Sequence, residues 1–380
     1  MSDRLARYET KLRQVDRKDR LRRLARQSGL DFTSNDYLGL AGSSRLRAGV
    51  IAALERGVPV GAGGSRLLRG NHPEHEALEA EAAAFFHCDR MVYFGSGYVA
   101  NLALLSCLPQ RGDLVLYDAL IHASAHAGIA AGRAEAVAVP HNDVAAFEDA
   151  IRDWRKSGAT GRPWIVAESL YSMEGDRAPL VELAGLVDEH DGFLLIDEAH
   201  ATGVHGAHGR GFAADLEGRD NVVVLHCCGK ALGTSGALVS ASPVLCDYLI
   251  NHARSFIYTT APSPLVAASV GQALKILAEE PERREKLRDM IAFANAQVAH
   301  RLGIEGSGSQ ILPVLIGDNN RAIRIAERLQ AAGFDIRAIR PPTVPLGTAR
   351  LRIAITLNVD APTIARMVDQ VAHVMAEERP

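Results

Sequence analysis

VVVLHCCGKALGTSGALVSAS, residues 222–242, sets an apolar run against two adjacent thiols, a lone lysine at Lys230, a turn of small residues and a second apolar run. Three readings are open. His226, Cys227 and Cys228 are all possible metal ligands, but consecutive side chains of an extended chain point to opposite faces, and no second CxxC or HxxxH lies nearby to complete a tetrahedron. The thiols can instead be small buried hydrophobes beside a solvated lysine. Alternatively, Lys230 is desolvated at the mouth of a strand until its amine serves as a nucleophile. What the chain places at its other strand ends decides among them.

Working outward, short runs rich in branched and aromatic residues recur: MVYF at Met91, LVLY at Leu114, AVAV at Ala136, WIVA at Trp164, FLLI at Phe193, VVVL at Val222 and ALVS at Ala237. Between them lie stretches with apolar residues at helical spacing, such as VAAFEDAIRDW from Val144 and LVELAGLVDEH from Leu180. That alternation predicts an α/β fold with a mainly parallel seven-stranded sheet and helices on both faces. Ligands of such sheets bind beyond the carboxyl ends of the strands. Those ends are rich in chemistry. After MVYF comes GSGYVAN, a glycine-flanked turn opening a helix; after LVLY comes DALIHAS with His122; after WIVA comes ESLYSMEGD with Ser172; after FLLI comes DEAHATGVHGAHGRG with Asp197 and His200; after VVVL comes the lysine.

Composition agrees with a soluble globular protein. The 380 residues, 47% of them hydrophobic, carry a net charge of -3, enough for about two domains. Ten Lys/Arg against four Asp/Glu crowd the first 26 residues, with no continuous apolar stretch, so neither a signal peptide nor a membrane anchor is expected. Nucleic-acid binding is not expected either, because the chain as a whole is not basic and the N-terminal charges sit at helical spacing around Leu5, Leu12 and Leu21. Five scattered cysteines, an odd number, point to a reducing cytoplasm.

One cofactor needs this set of groups. Pyridoxal phosphate requires a lysine for covalent attachment, a carboxylate that keeps its ring nitrogen protonated, an aromatic group against the ring and a cradle for its phosphate. Lys230, Asp197, His122 and the turn at Gly97 fill those posts in the order of a doubly wound fold. A nicotinamide enzyme is the rival reading, but no GxGxxG follows the first strand.

From about Asp31 to the C-terminus the chain resembles the α-oxoamine synthases, a branch of the fold type I pyridoxal phosphate enzymes. SNDYLGLA at Ser34, GSGYVANLALL at Gly95, HASAHAGI at His122, ESLYSMEGDRAPL at Glu168, IDEAHATGVHGAHGRG at Ile196, GKALGTSGA at Gly229 and RPPTVPLGTARLRIAIT at Arg340 carry the resemblance. The last, with HND at His141 and DNNRA at Asp318, is most similar to the members that condense L-alanine with a pimeloyl thioester, delivered on CoA or a carrier protein. The resemblance implies that Lys230 binds the cofactor and moves the Cα proton, that Asp197 pairs with the pyridine nitrogen, and that His200 and Ser172 face the ring oxygen. His122 would stack on the ring and polarise the thioester carbonyl, while Gly97 and Tyr98 would lie at the phosphate. Asn35 and Arg352 would hold the amino-acid carboxylate, and Thr343 and Arg22 the acyl or product end. Arg22 has an alternative reading as one solvated arginine of several on a helix.

The family's enzymes are homodimers with the active site between subunits, and Thr259 and Thr260 match a segment that reaches the partner's phosphate. Cys227 departs from the family, most of whose members carry a threonine there that donates to the phosphate. The expected division is an N-terminal helical segment over 1–39 beside the active site, a cofactor domain over 40–280 and a small α/β domain over 281–380. A related enzyme, such as a 2-amino-3-ketobutyrate ligase, an aminolaevulinate synthase or a sphingoid-base synthase, would share every cofactor residue. A non-catalytic scaffold would lack the lysine or the aspartate, and both are present.

Overall fold

The computed structural model describes residues 3–18, 20–24 and 26–378. Its centre is a seven-stranded sheet of β1 (Met91–Phe94), β2 (Leu114–Asp118), β3 (Glu135–Val139), β4 (Pro163–Glu168), β5 (Phe193–Asp197), β6 (Val222–Cys227) and β7 (Ala237–Ser240), in the order β1-β7-β6-β5-β4-β2-β3. Each strand falls on one of the apolar runs picked out in the sequence. β7 runs antiparallel to both its neighbours, and the other pairings are parallel.

Because successive side chains alternate across a sheet, each strand feeds two cores. Trp164, Val166, Leu195, Val223 and Leu225 share one face with Ala100, Ala103 and Leu104 of the helix Gly97–Cys107. Ile165, Ala167, Leu194, Ile196, Val222 and Val224 share the other with Phe147 and Ile151 of the helix Val144–Lys156 and Leu183 and Val187 of the helix Leu180–Glu189. Parity then sets the functional ends. Glu168, Asp197 and Cys227, the last residues of their strands, keep step with Val166, Leu195 and Leu225 and so belong to the face covered by Gly97–Cys107. Glu168 and Asp197 are also direct register partners.

A second, antiparallel sheet in the order β9-β10-β8 is built from β8 (Ile311–Gly317), β9 (Arg337–Ile339) and β10 (Ala349–Ala354). The helices Asn319–Ala331 and Ala361–Glu377 contribute Ile325, Leu329, Ile364 and Val368 to its core. The stretch after Gly29 is tied to this unit. Leu30–Asp31 pairs with Phe334–Asp335, the Ala354 amide donates to the Phe32 carbonyl at 2.8 Å, and the Leu357 amide donates to the Tyr37 carbonyl at 3.0 Å. The loop carrying Asn35 is thereby held to the strand carrying Arg352.

The N-terminal region departs from expectation. Its helix covers only Asp3–Asp16, with Leu5, Tyr8 and Leu12 exposed, and Arg20–Leu24 is not helical. Between Asp16 and Arg26 the large apolar residues are Leu21 and Leu24 in a run dense in arginine, too few to give a helix a face to bury.

Candidate active site

Lys230 stands in the turn after β6, half-buried, with Nζ 2.8 Å from His200 Nε2. The His200 ring is buried, and that burial, with the charges of Lys230 and Arg352, holds its pKa well below the ordinary histidine value. With Lys230 donating to Nε2, the ring proton sits on Nδ1 and is donated to Tyr37 Oη at 2.7 Å. Tyr37 in turn donates to Asn35 Oδ1 at 3.0 Å, and Arg352 Nη2 donates to the same oxygen at 2.9 Å. Arg352 Nε donates to the Ser172 carbonyl at 2.6 Å. A continuous hydrogen-bonded chain thus runs from the lysine to the arginine. Gln310 fastens its middle by donating to the His200 carbonyl at 2.6 Å.

A second network holds the carboxylate. Asp197 accepts from Asn101 Nδ2 at 2.8 Å and from the Ala199 amide at 2.9 Å. The Asn101 amide also donates to Ser124 Oγ at 3.0 Å, and Ser124 Oγ lies 2.7 Å from His122 Nδ1. His122 is the N-cap of the helix Ala123–Ala131, accepting from the Ser124 amide at 3.2 Å. Its Nδ1 is therefore committed locally, which leaves Nε2 for a ligand. Burial and the nearby Lys230 charge depress its pKa, against the pull of Asp197.

Glu168 is buried, accepts from the Ser172 amide at 3.2 Å, and has a second oxygen with no hydrogen-bond partner among the described residues. Burial and the adjacent Asp197 push its pKa up to about 8, against the pull of Lys230.

Sequence reasoning missed Tyr37, Asn101, Ser124, Glu168 and Gln310. Asn101 did carry a signal, being a lone amide among the apolar residues of YVANLALL. Gln310 carried none.

The thiols separate as alternation requires. Cys228 is in the core, and His226 is turned away, stacked on Phe86 at 3.8 Å between ring centres with Nε2 2.9 Å from Glu217. Among the described residues no group of three or more His, Cys, Asp or Glu could hold a metal ion. Cys227 lies beneath the GSG turn, its Sγ 3.7 Å from where a Cβ on Gly97 would stand. Ser96 caps the helix by accepting only from the Val99 amide, so the first-turn N–H groups of Gly97 and Tyr98 point outward without intrahelical partners. An amine, a seated carboxylate, a neutral imidazole and a helix start open to an anion fit the requirements of pyridoxal phosphate.

Beside this cluster a cavity of about 460 Å³ is lined by Arg22, His122, Ser172, Met173, Glu174 and Thr343, among others. Arg22 and Thr343, far apart in sequence, therefore share one chamber with His122. Thr259 and Thr260 are exposed and join none of these contacts.

His141, in the HND motif, fastens the two loops that frame the chamber. Its Nδ1 is 2.9 Å from both oxygens of Asp118, before the His122 loop, and its Nε2 is 2.8 Å from Asp176, after Ser172. Burial opposes a charge on this ring, but the two carboxylates outweigh it and push its pKa up to about 10. A pKa raised above the unfolded value of about 6.5 stabilises the fold fully below that pH, and the gain is lost as pH rises through the folded value. The parent should therefore melt above His141→Asn by a margin that is largest near pH 6 and closes towards pH 10. A margin independent of pH in thermal scans would show that the imidazolium contributes nothing.

The sequence pattern of aminotransferase class I and II matches residues 27–371. A putative 8-amino-7-oxononanoate synthase of Geobacillus kaustophilus is 42% identical over 347 residues, 90% of this chain and 88% of the relative. The 8-amino-7-oxononanoate synthase of Chromobacterium violaceum is 39% identical over 376 residues, 94% of this chain and 96% of the relative. Among solved structures, a serine palmitoyltransferase from S. paucimobilis with a bound PLP-myriocin aldimine superposes with a TM-score of 0.88 at 25% identity, covering 99% of this chain and 98% of that one.

Proposed function

The chain belongs to the 8-amino-7-oxononanoate synthase family within aminotransferase class I and II, and from that premise we propose the work of each group in its site. The reaction condenses L-alanine with a pimeloyl thioester to give 8-amino-7-oxononanoate, free CoA and carbon dioxide, a step of biotin biosynthesis. The observation that carries the reading is the joining of two features: the lysine-to-arginine chain from Lys230 to Arg352, and the chamber that Arg22, His122 and Thr343 line beside it. A sphingoid-base synthase shares the fold, but at 25% identity against the 42% and 39% of the synthase relatives.

Pyridoxal phosphate, held by Lys230, Asp197, His122, His200, Ser172 and the Gly97–Tyr98 turn, supplies when bound an electron sink for the charge that develops at alanine Cα. Asp197 would set a fixed negative charge against the ring nitrogen that must stay protonated for that sink to work, and Asn101 and the Ala199 amide stop the carboxylate from swinging away. Arg352, with Nε and Nη2 already oriented, offers its remaining N–H groups to the alanine carboxylate, and Asn35 completes that grip. Lys230 Nζ removes the Cα proton and later returns one, and the neutral His200 ring provides an acceptor that holds the amine in place. His122, anchored through Nδ1, presents Nε2 to the thioester carbonyl oxygen.

The acyl end enters the chamber, where Arg22 and Thr343 meet the distal part of the chain. A pocket that senses small apolar differences discriminates by roughly 10- to 200-fold. Alanine with pimeloyl-CoA should outpace glycine with acetyl-CoA by at least that margin in a coupled assay of CoA release. Equal rates would move the enzyme to the ketobutyrate ligases.

Of the division into 1–39, 40–280 and 281–380, the two separate sheets support the split near 280, while the pairing of Leu30–Asp31 with Phe334–Asp335 groups the end of the first segment with the last. We place the enzyme in the cytoplasm as a homodimer, with Thr259 and Thr260 at the partner's phosphate; their exposure and that of Leu5, Tyr8 and Leu12 support the reading. No helix among the described residues is long and apolar enough to cross a membrane.

Cys227 sets a further expectation. A thiol is a weaker donor than a hydroxyl, and a hydrogen bond to a charged group contributes about 1.5–3 kcal/mol, so partial loss weakens phosphate binding roughly tenfold. Cys227→Thr should bind pyridoxal phosphate more tightly than the parent in equilibrium titration of the apoenzyme. Unchanged affinity in both Cys227→Thr and Cys227→Ala would place the side chain outside the phosphate site.

A further inference from the structure

A second cleft, of about 390 Å³, opens between the loop 203–208, Arg177, Gly308 and the helix Pro281–Leu302. The helix presents Pro281, Arg284, Arg288 and Ile291 to it, residues spaced to share one face. Arg177 enters from the opposite side with its guanidinium 4.2 Å over the Phe212 ring. The cleft thus gathers three guanidinium groups on two unrelated elements. None of the roles assigned above uses them.

Arginines elsewhere on this surface are neutralised: Arg45 and Arg283 meet Glu280, Arg219 meets Asp188, and Arg328 meets Glu377 and Glu378. Arg177, Arg284 and Arg288 make no ion pair with a carboxylate among the described residues. Arg284 is half-buried, and one arm of its fork is spent on the Leu277 carbonyl. Burial lowers its pKa, against the weaker pull of Glu285 and Glu282. Glu285 is the one carboxylate that lines the cleft. His205, hydrogen-bonded to Gln310 at 2.8 Å, is kept neutral by its burial, which brings its pKa down to about 4. The cations therefore outnumber the anions inside a concavity, where the surrounding low-dielectric walls concentrate their field.

The walls are mixed. Val204, Pro281 and Ile291 form an apolar side, and Gly308, with open space where a side chain would stand, leaves backbone open to close approach. A bare phosphate would use only the guanidinium side, and the volume lies in the range of sites that take whole small molecules. Planar guanidinium forks suit phosphate oxygens in pairs. We propose that this cleft binds a nucleoside polyphosphate, its phosphates on Arg177, Arg284 and Arg288 and its base against Val204 and Ile291. That chemistry is offered both by a free nucleotide and by the nucleotide end of CoA.

Isothermal titration of the cofactor-loaded enzyme with ADP, CoA, adenosine and inorganic phosphate, one at a time, tests the site and separates its sources. ADP should bind once per chain, and adenosine should bind at least tenfold more weakly. The affinity should fall when salt is raised so that the screening length shrinks from ~14 Å to ~7 Å. Arg288→Ala and Arg177→Gln should each weaken ADP binding at least tenfold; turnover of alanine with pimeloyl-CoA stays unchanged if the site serves free nucleotides, and the KM for pimeloyl-CoA rises if it serves the coenzyme. ADP binding lost in Arg288→Ala with the KM for pimeloyl-CoA unchanged assigns the site to free nucleotides, and loss of ADP and CoA binding together with a raised KM assigns it to the coenzyme. The proposal is overturned if neither ligand binds at millimolar concentration, or if both variants bind as tightly as the parent. An acyl-thioester panel that fails while nucleotide binding and its loss in the variants persist would overturn the proposed reaction and leave this site standing.

Discussion

Lys230→Ala will abolish turnover, lowering it by more than about four orders of magnitude, and will remove the visible absorbance of covalently held pyridoxal phosphate in the same step. The size follows from two duties resting on one amine. Lys230 Nζ is the group placed to hold the cofactor covalently and also the base 2.8 Å from a neutral imidazole acceptor, so no neighbour can take over either role. His200 is held neutral and already donates to Tyr37, and Arg352 is committed to Asn35 and Ser172. Truncation should spare the fold, because the side chain is half-buried and among the described residues hydrogen-bonds only to His200. The thermal midpoint should therefore stay within a few degrees of the parent, and Lys230→Arg, which keeps the charge, should be as inactive as the alanine variant. Retention of both absorbance and turnover in Lys230→Ala would transfer the nucleophile to another residue and end the proposed mechanism.

Asp197→Asn should cost about two to three orders of magnitude in kcat with little change in KM for alanine, the loss expected when one preorganised charge is removed from a water-poor site. The substitution is nearly isosteric, and the Ala199 amide can still donate to the new side-chain carbonyl at the position now 2.9 Å away. The Asn101 amide, 2.8 Å from the other oxygen, then meets an NH₂ group unless the new side chain flips, so some strain is expected as well. Asn101→Ala separates the two effects. It leaves the carboxylate and removes its anchor, so kcat should fall by a smaller factor, about tenfold, with the charge retained. Equal rates for Asp197→Asn and the parent would show that the carboxylate serves the packing of the sheet end alone.

The seven strands of the main sheet and the helices Val144–Lys156 and Leu180–Glu189 were legible in the sequence, because their apolar residues repeat at periods of two and 3.6 that burial on a sheet face or a helix stripe imposes locally. So were the polar motifs at the strand ends. Lys230, Asp197, His122 and His200 follow strands whose carboxyl ends must share one edge of a parallel sheet, so sequence order implied their meeting before any coordinates did. The fate of the three residues preceding Gly229 was also decided locally, since strand alternation alone sends Cys227 and Cys228 to opposite faces.

What sequence could not supply was the closure between distant segments. Asn35 meets Arg352, and Arg22 shares a chamber with Thr343, only because the loop after Gly29 is stitched to the second sheet through Leu30–Asp31, Phe32 and Tyr37. The bond from Asn101 to Asp197 depends on how one helix is seated over one sheet face, and that from Gln310 to the His200 carbonyl on how the second sheet lies against the first. Nor does sequence show that Arg177, Arg284 and Arg288 converge on one cleft without an ion pair to a carboxylate among the described residues. The local pattern of a chain specifies which face of each element is buried. The partner it is buried against is set by packing among segments hundreds of residues apart, and both the finished site and the second cleft are products of that packing.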